Sequence, residues 1–147
     1  MNIFEALRVS HDAQRSLCAR LLDSDPQGPD RGLLFEELKR ELQAHATAEE
    51  RCLYVPLFEH DVTVDASRHA ISEHHEMDEM VEDLEGEQPN SPGWMAGAKK
   101  LCEKVVHHLK EEEHKFFQEA GKVLTEKQKL ALGKDYAEEF SSMRSKL

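Results

Sequence analysis

The chain is predicted to be all-α, an antiparallel up-down-up-down four-helix bundle with an additional C-terminal helix. Apolar residues recur every three to four positions through long segments, the pattern of helices with one buried face, and no stretch alternates as a strand would. Charged residues make up 33% of the chain and apolar ones 39%, as solvated outer faces around a shared core require. A shift of 63 residues superimposes the first half on the second, so two helical hairpins are expected to pair.

The first helix is expected over about 3–23. Asn2 precedes it and Glu5 stands three residues on, a capping-box pair. Its inward face is Ile3, Leu7, His11, Gln14, Leu17, Cys18 and Leu21. The Pro- and Gly-bearing run 24–30 breaks the chain. The second helix is expected over about 31–58, with an apolar stripe of Leu38, Leu42, Cys52, Leu53 and Pro56, the last of which should kink or end it. A short connection with Asp65 as cap leads to a third helix over about 66–85, which stops at Gly86. Pro89, Pro92 and Gly93 mark the next loop, and the fourth helix follows over about 94–122. Thr125 and Gln128 form a second capping box, opening a fifth helix over about 126–146. That helix carries Leu130, Leu132, Tyr136, Phe140 and Met143 but no paired His or Glu, and is expected to be a structural lid or an assembly surface. Short loops between long helices imply antiparallel neighbours, and residues 1–147 read as one domain.

The repeat carries chemistry. His45 and Glu49 lie four residues apart on the apolar stripe of the second helix, so both point inward. The 63-residue shift maps His11, His45 and Glu49 onto His74, His108 and Glu112, and Leu38, Leu42, Leu53 and Tyr54 onto Leu101, Val105, Phe116 and Phe117. Helix 4 offers a rival pair, His107 and Glu111, but that face also holds Lys100, Glu103, Lys104 and His114, whereas His108 shares its face with Leu101, Val105 and Phe116. His74 shares its face with Ala70, Met77 and Val81; His75 shares its face with Asp78, Glu79 and Glu82. His60, His69, His75, His107 and His114 are assigned to the surface. Two carboxylates and four imidazoles buried without a cation would cost more than a domain's whole margin of about 5–15 kcal/mol. A metal ion held by His11, His45, Glu49, His74, His108 and Glu112 is the expectation.

The formal net charge of −11 disfavours nucleic acid and anionic membranes as partners. No basic, apolar leader opens the sequence and no stretch reaches the length of a membrane span. Three widely spaced cysteines suggest no disulfide framework, and a cytoplasmic location is expected. Cys18 and Cys52 are read as small buried hydrophobes on core faces.

With these residues in place, the sequence resembles the hemerythrin-like family of HHE cation-binding domains. The matching elements are the single His11 on the first helix, His45 with Glu49, Glu73-His74 on the third, and His108 with Glu112 followed by Glu113. The resemblance implies a single hemerythrin-like domain around two iron ions, a non-haem di-iron centre with an oxo or hydroxo bridge. Glu49 and Glu112 would bridge, and His11, His45, His74 and His108 would be terminal ligands. The oxygen-carrying members place a second His one turn after the third-helix ligand, where this chain has Asp78. They also space the fourth-helix carboxylate by five from its His; Glu112 is at four, while Glu113 at five competes with it, and the repeat favours Glu112. The chain therefore resembles more closely the bacterial four-His, two-Glu type linked to repair of damaged iron centres and to NO or peroxide stress, without the Cys-bearing N-terminal segment of the repair proteins.

The expected function is binding or sensing of a small ligand, O2, NO or peroxide, with self-association left open. The alternatives are a di-iron enzyme acting on peroxide or NO or repairing iron centres, a protein of iron storage or transfer, and a bundle that holds zinc or no metal. No inward acid or base beyond the six residues is evident, which argues against turnover.

Overall fold

The computed structural model describes residues 1–147. Five helices form the fold: α1 (Ile3–Leu22), α2 (30–57), α3 (Asp61–Glu85), α4 (94–123) and α5 (Glu126–Lys146). α2 and α4 are each interrupted by one π turn, at Glu50–Tyr54 and Glu112–Phe116. Helices α1 to α4 make the bundle, and α5 lies across α1 and α2.

Both capping boxes form. The Asn2 side chain accepts from the Glu5 amide at 2.9 Å while Glu5 accepts from the Asn2 amide at 3.0 Å, and Thr125 and Gln128 do the same at the start of α5. Gly93 opens α4 with φ +89°, a conformation that only glycine adopts without strain. Arg31 ties two loops at one end of the bundle, donating to the Ser24 and Pro89 carbonyls while it lies over Trp94.

Three expectations are corrected. α3 begins at Asp61 rather than at residue 66, with His60 and not Asp65 as its cap. The Thr63 hydroxyl donates to the Leu57 carbonyl at 2.8 Å, which seals the α2–α3 connection and draws the β-branched run Val62-Thr63-Val64 into the helix. Cys52 is only half-buried, whereas Cys102 joins Cys18 in the core. The π turn is the reason: its extra residue advances the inward face by one position, so Leu53, Tyr54 and Leu57 take the core and Cys52 and Pro56 rotate toward its edge. On α5, Leu130 is exposed, and the helix docks instead through Leu132, Tyr136 and Phe140.

The apolar core is divided. One cluster holds Leu17, Leu21, Phe35, Leu38, Val81, Trp94, Leu101 and Leu109 among others. The second holds Ile3, Leu7, Leu53, Leu57, Phe116, Phe117 and Tyr136. Along α1, α2 and α3 the candidate histidine falls between the two clusters, as His11 does between Leu7 and Leu17, and on α4 His108 lies beside Leu109, the last residue of the first cluster before Phe116 opens the second. A polar layer therefore crosses the middle of the bundle.

α5 leaves no room at its contact with the N-terminus. A Cβ on Gly133 would stand 2.7 Å from the Asn2 carbonyl carbon and 2.9 Å from the Ile3 amide nitrogen, both backbone atoms that cannot rotate away. Gly133→Ala is expected to destabilise the fold by about 1–3 kcal/mol, read as a lower denaturant midpoint with an unchanged slope.

Candidate metal centre

The six side chains that the repeat singles out converge in the polar layer. His11, His45, Glu49, His74, His108 and Glu112 are all between 0% and 4% exposed. His45 Nε2 lies 3.2 Å and His74 Nε2 3.4 Å from Glu49 Oε1. His11 Nε2 lies 3.4 Å from Glu112 Oε1, and His108 Nε2 3.5 Å from Glu112 Oε2. None of the four Nε2 atoms has a hydrogen-bond partner, and neither has Glu49 Oε2 nor Glu112 Oε1. Six orphaned polar atoms aimed at one point would be costly in a finished core, and they are the donor set a first-row metal takes.

The opposite edge of every ring is held. Nδ1 of His11 donates to Glu113 at 2.7 Å, Nδ1 of His74 to Glu50 at 3.0 Å and Nδ1 of His108 to Glu73 at 2.8 Å. His45 Nδ1 meets the Tyr136 hydroxyl at 2.8 Å. A carboxylate that accepts from Nδ1 fixes the proton there and leaves the Nε2 lone pair facing inward, the arrangement found around metal-binding imidazoles.

These outer partners obey the repeat. Glu50 shifted by 63 residues is Glu113, and both grip the ring of a first-repeat or second-repeat histidine on the facing helix. Glu73 shifted back is Ser10, which is too short to reach His45. Tyr136 from α5 fills the gap, with its hydroxyl 2.6 Å from Ser10 Oγ. The closing helix thus supplies what the first repeat lacks.

Glu112 and Glu113 are separated by role. Glu112 faces the centre, while Glu113 takes the outer edge of His11 and is anchored by Arg15 at 2.8 Å and Arg8 at 3.6 Å. One further residue at the centre escaped the sequence reading. Tyr54 is fully buried, and its hydroxyl bonds to Glu49 at 2.8 Å and also to Glu112. The i→i+5 bond from the Val55 amide to the Glu50 carbonyl brings Tyr54 over Glu49, where an unbroken α-helix would place Leu53. His107, His69, His75 and His114 are exposed, and Asp78 is exposed and outside the centre.

The electrostatics are those of two carboxylates forced together. Burial, and then the charge of Glu49, push Glu112 up to about 7. Burial opposes ionisation of Glu49 as well, but His45 beside it, with Glu112 and His74, holds it well below the ordinary carboxylate range. Burial lowers His74, yet the Glu49 and Glu50 carboxylates beside it prevail and raise it to about 10. His45, with the Tyr136 hydroxyl rather than a carboxylate on its outer edge, is driven by burial down to about 4. Without a metal ion the layer can offset its negative charge only by taking up protons, and a metal ion would compete for those positions.

The comparisons give the family. The model of the hemerythrin HHE cation binding domain matches residues 2–120. The chain belongs to this family. Membership carries metal binding, and the buried His and Glu groups fit it. A hemerythrin HHE cation-binding domain-containing protein from Mycobacterium kansasii has the same fold, with a TM-score of 0.88 and 22% identity over 99% of this chain and 89% of that one. A protein of Nostoc sp. named DNA nickase is 28% identical over the whole of this chain, which spans 40% of the Nostoc protein's length. The family match ends before α5, so Tyr136 lies outside it.

Two predictions follow the geometry. Glu112→Gln removes one of two facing buried charges, so the metal-free protein should melt at or above wild type while the stabilisation gained on adding metal is lost; His107→Ala should change neither melt. Tyr136→Phe should weaken metal retention about 10- to 100-fold in a chelator competition, because His45 loses its outer partner.

Proposed function

We propose that the centre holds two iron ions and binds or senses a small ligand, O2, NO or peroxide. The supporting observation is that ligand atoms of five of the six residues fall into two close groups, His11–His45–Glu49 and Glu49–His74–His108, which share Glu49. His11, His45, His74 and His108, with the carboxylates of Glu49 and Glu112, would hold the ions. Imidazole and carboxylate suit iron, and such a pair supplies ligand binding and a change of oxidation state. The chain's own residues supply the rest: the outer carboxylates and Tyr136 hold the imidazoles in one tautomer, the two apolar clusters exclude bulk water, and Tyr54 offers a proton at Glu49 and Glu112.

A second reading is turnover of peroxide or NO at the same centre, where the Tyr54 hydroxyl beside both carboxylates would serve as a hydrogen-bond donor, its proton held well above the ordinary phenol range by burial and by those charges. We assign no DNA chemistry to the chain: it spans under half of the Nostoc protein, and its net charge of −11 opposes phosphate binding.

The test is metal content and an optical spectrum of anaerobically purified protein, followed by exposure to air, peroxide or NO. About two irons per chain, and a spectrum that responds to one of these ligands, are expected from a bundle-core carboxylate site. Ligand binding without steady consumption supports the sensor, and sustained consumption supports the enzyme. One tightly held zinc, or no metal after reconstitution, would sink both.

A further inference from the structure

A second cluster of metal-type ligands lies outside the centre. His69 and Glu73 on α3 and Glu111 on α4 bring one ligand atom each within 4.8 Å of one another. His69 Nε2 is 3.5 Å from Glu73 Oε1 and 3.8 Å from Glu111 Oε1. Neither is a hydrogen bond, and the spacing is slightly wider than the 3.2–3.5 Å in the centre; the other Glu111 oxygen lies 3.3 Å from the exposed His107. His69 is largely exposed, Glu111 half-buried and Glu73 nearly buried.

The cluster is joined to the centre. All three residues line one cavity of about 320 Å³ between α3 and α4, whose wall also includes His108 and Glu112. Those two are buried, and their unpartnered Nε2 and Oε1 belong to the centre behind the cavity wall. Glu73 belongs to both places: its Oε1 accepts from His108 Nδ1 at 2.8 Å while facing His69. Ligand atoms thus run from solvent to the polar layer by way of one shared carboxylate. Asp65 and Glu119 add negative charge along the cavity, against Lys115, and Lys104 contacts Glu73 from the side at 3.7 Å. The balance favours a cation.

The repeat makes the cluster stand out. Shifted back by 63 residues, His69, Glu73 and Glu111 become Ala6, Ser10 and Ala48. The first hairpin builds its half of the centre without such a group, so the centre's own construction does not account for His69 and Glu111.

From this geometry we infer that His69, Glu73 and Glu111 form an outer divalent-cation site through which ferrous iron reaches the buried centre. The inference rests on the metal centre proposed above. One imidazole and two carboxylates bind a first-row divalent ion, and so small and half-exposed a site suits transient capture more than storage. No bond is made or broken beyond exchange of ligands, with water leaving the ion as protein atoms replace it.

The test is the rate at which the metal-free full-length chain takes up Fe2+ alone under anaerobic conditions, read as iron protected from a fast colorimetric chelator. Wild type is compared with the double variant His69→Ala/Glu111→Gln and with His75→Ala, an exposed α3 residue facing away from the cavity. Glu73 is left intact because it orients His108. The double variant should load about tenfold more slowly, the order of an electrostatic capture effect, and reach the same final iron per chain with the same thermal melt. His75→Ala should load as wild type does. Loading of the double variant at the wild-type rate overturns the inference and leaves the centre standing. A fall in final iron content also overturns it, by showing that His69 and Glu111 support the centre rather than a route to it. If wild type retains no iron, the reading of the centre fails and this one falls with it.

Discussion

Two ionisable carboxylates face each other in the middle of the bundle, and everything else is arranged around that cost. Glu49 and Glu112 are almost wholly removed from water, and each stands 3.2–3.5 Å from two imidazole nitrogens that have no other partner. In an apolar interior such charges are tolerated only when paired or coordinated. The polar layer splits the core into two clusters, and each cluster has to be well filled for the fold to support the layer between them. The large side chains Trp94 and Phe35 on one side, and Phe116, Phe117 and Tyr136 on the other, fill that need.

The two π turns connect sequence to site. Each begins immediately after or at a centre-facing glutamate, and each adds a residue where the helix must present polar atoms on one side and large apolar groups on the other. In α2 the result is Tyr54 above Glu49. In α4 the turn opens with the consecutive buried glutamates Glu112 and Glu113, which reach opposite edges of the same His11 ring.

Much of this was legible in the sequence. Both capping boxes, the helix order and the convergence of six side chains could be read from apolar spacing and from one repeat length. The repeat distinguished His108 from His107, and Glu112 from Glu113, where spacing alone was ambiguous. What could not be read depends on backbone hydrogen bonding or on contacts between distant segments. Periodicity assumes a constant turn, so the π turns, the burial of Tyr54 and the outward drift of Cys52 were invisible to it. Thr63 bonding to Leu57 made α3 five residues longer than its β-branched start suggested. Tyr136 looked like one apolar residue among several, because its partners His45 and Ser10 lie 91 and 126 residues away. The one available clue was the broken symmetry: Ser10 stands where the second repeat has Glu73.

That substitution gives α5 a thermodynamic connection to the centre. Tyr136 is the hinge pin between a peripheral helix and an inward-facing imidazole, and it is held by Ser10 of α1 at the same time. Whatever fixes the orientation of His45 also fixes the hydroxyl on which α5 is seated, and by reciprocity whatever lifts α5 loosens His45 by the same free energy. The three other histidines have no such tether to α5, since their outer partners are carboxylates of the bundle itself. A change of state at His45 can therefore be transmitted to the molecular surface as a change in how firmly one helix is seated.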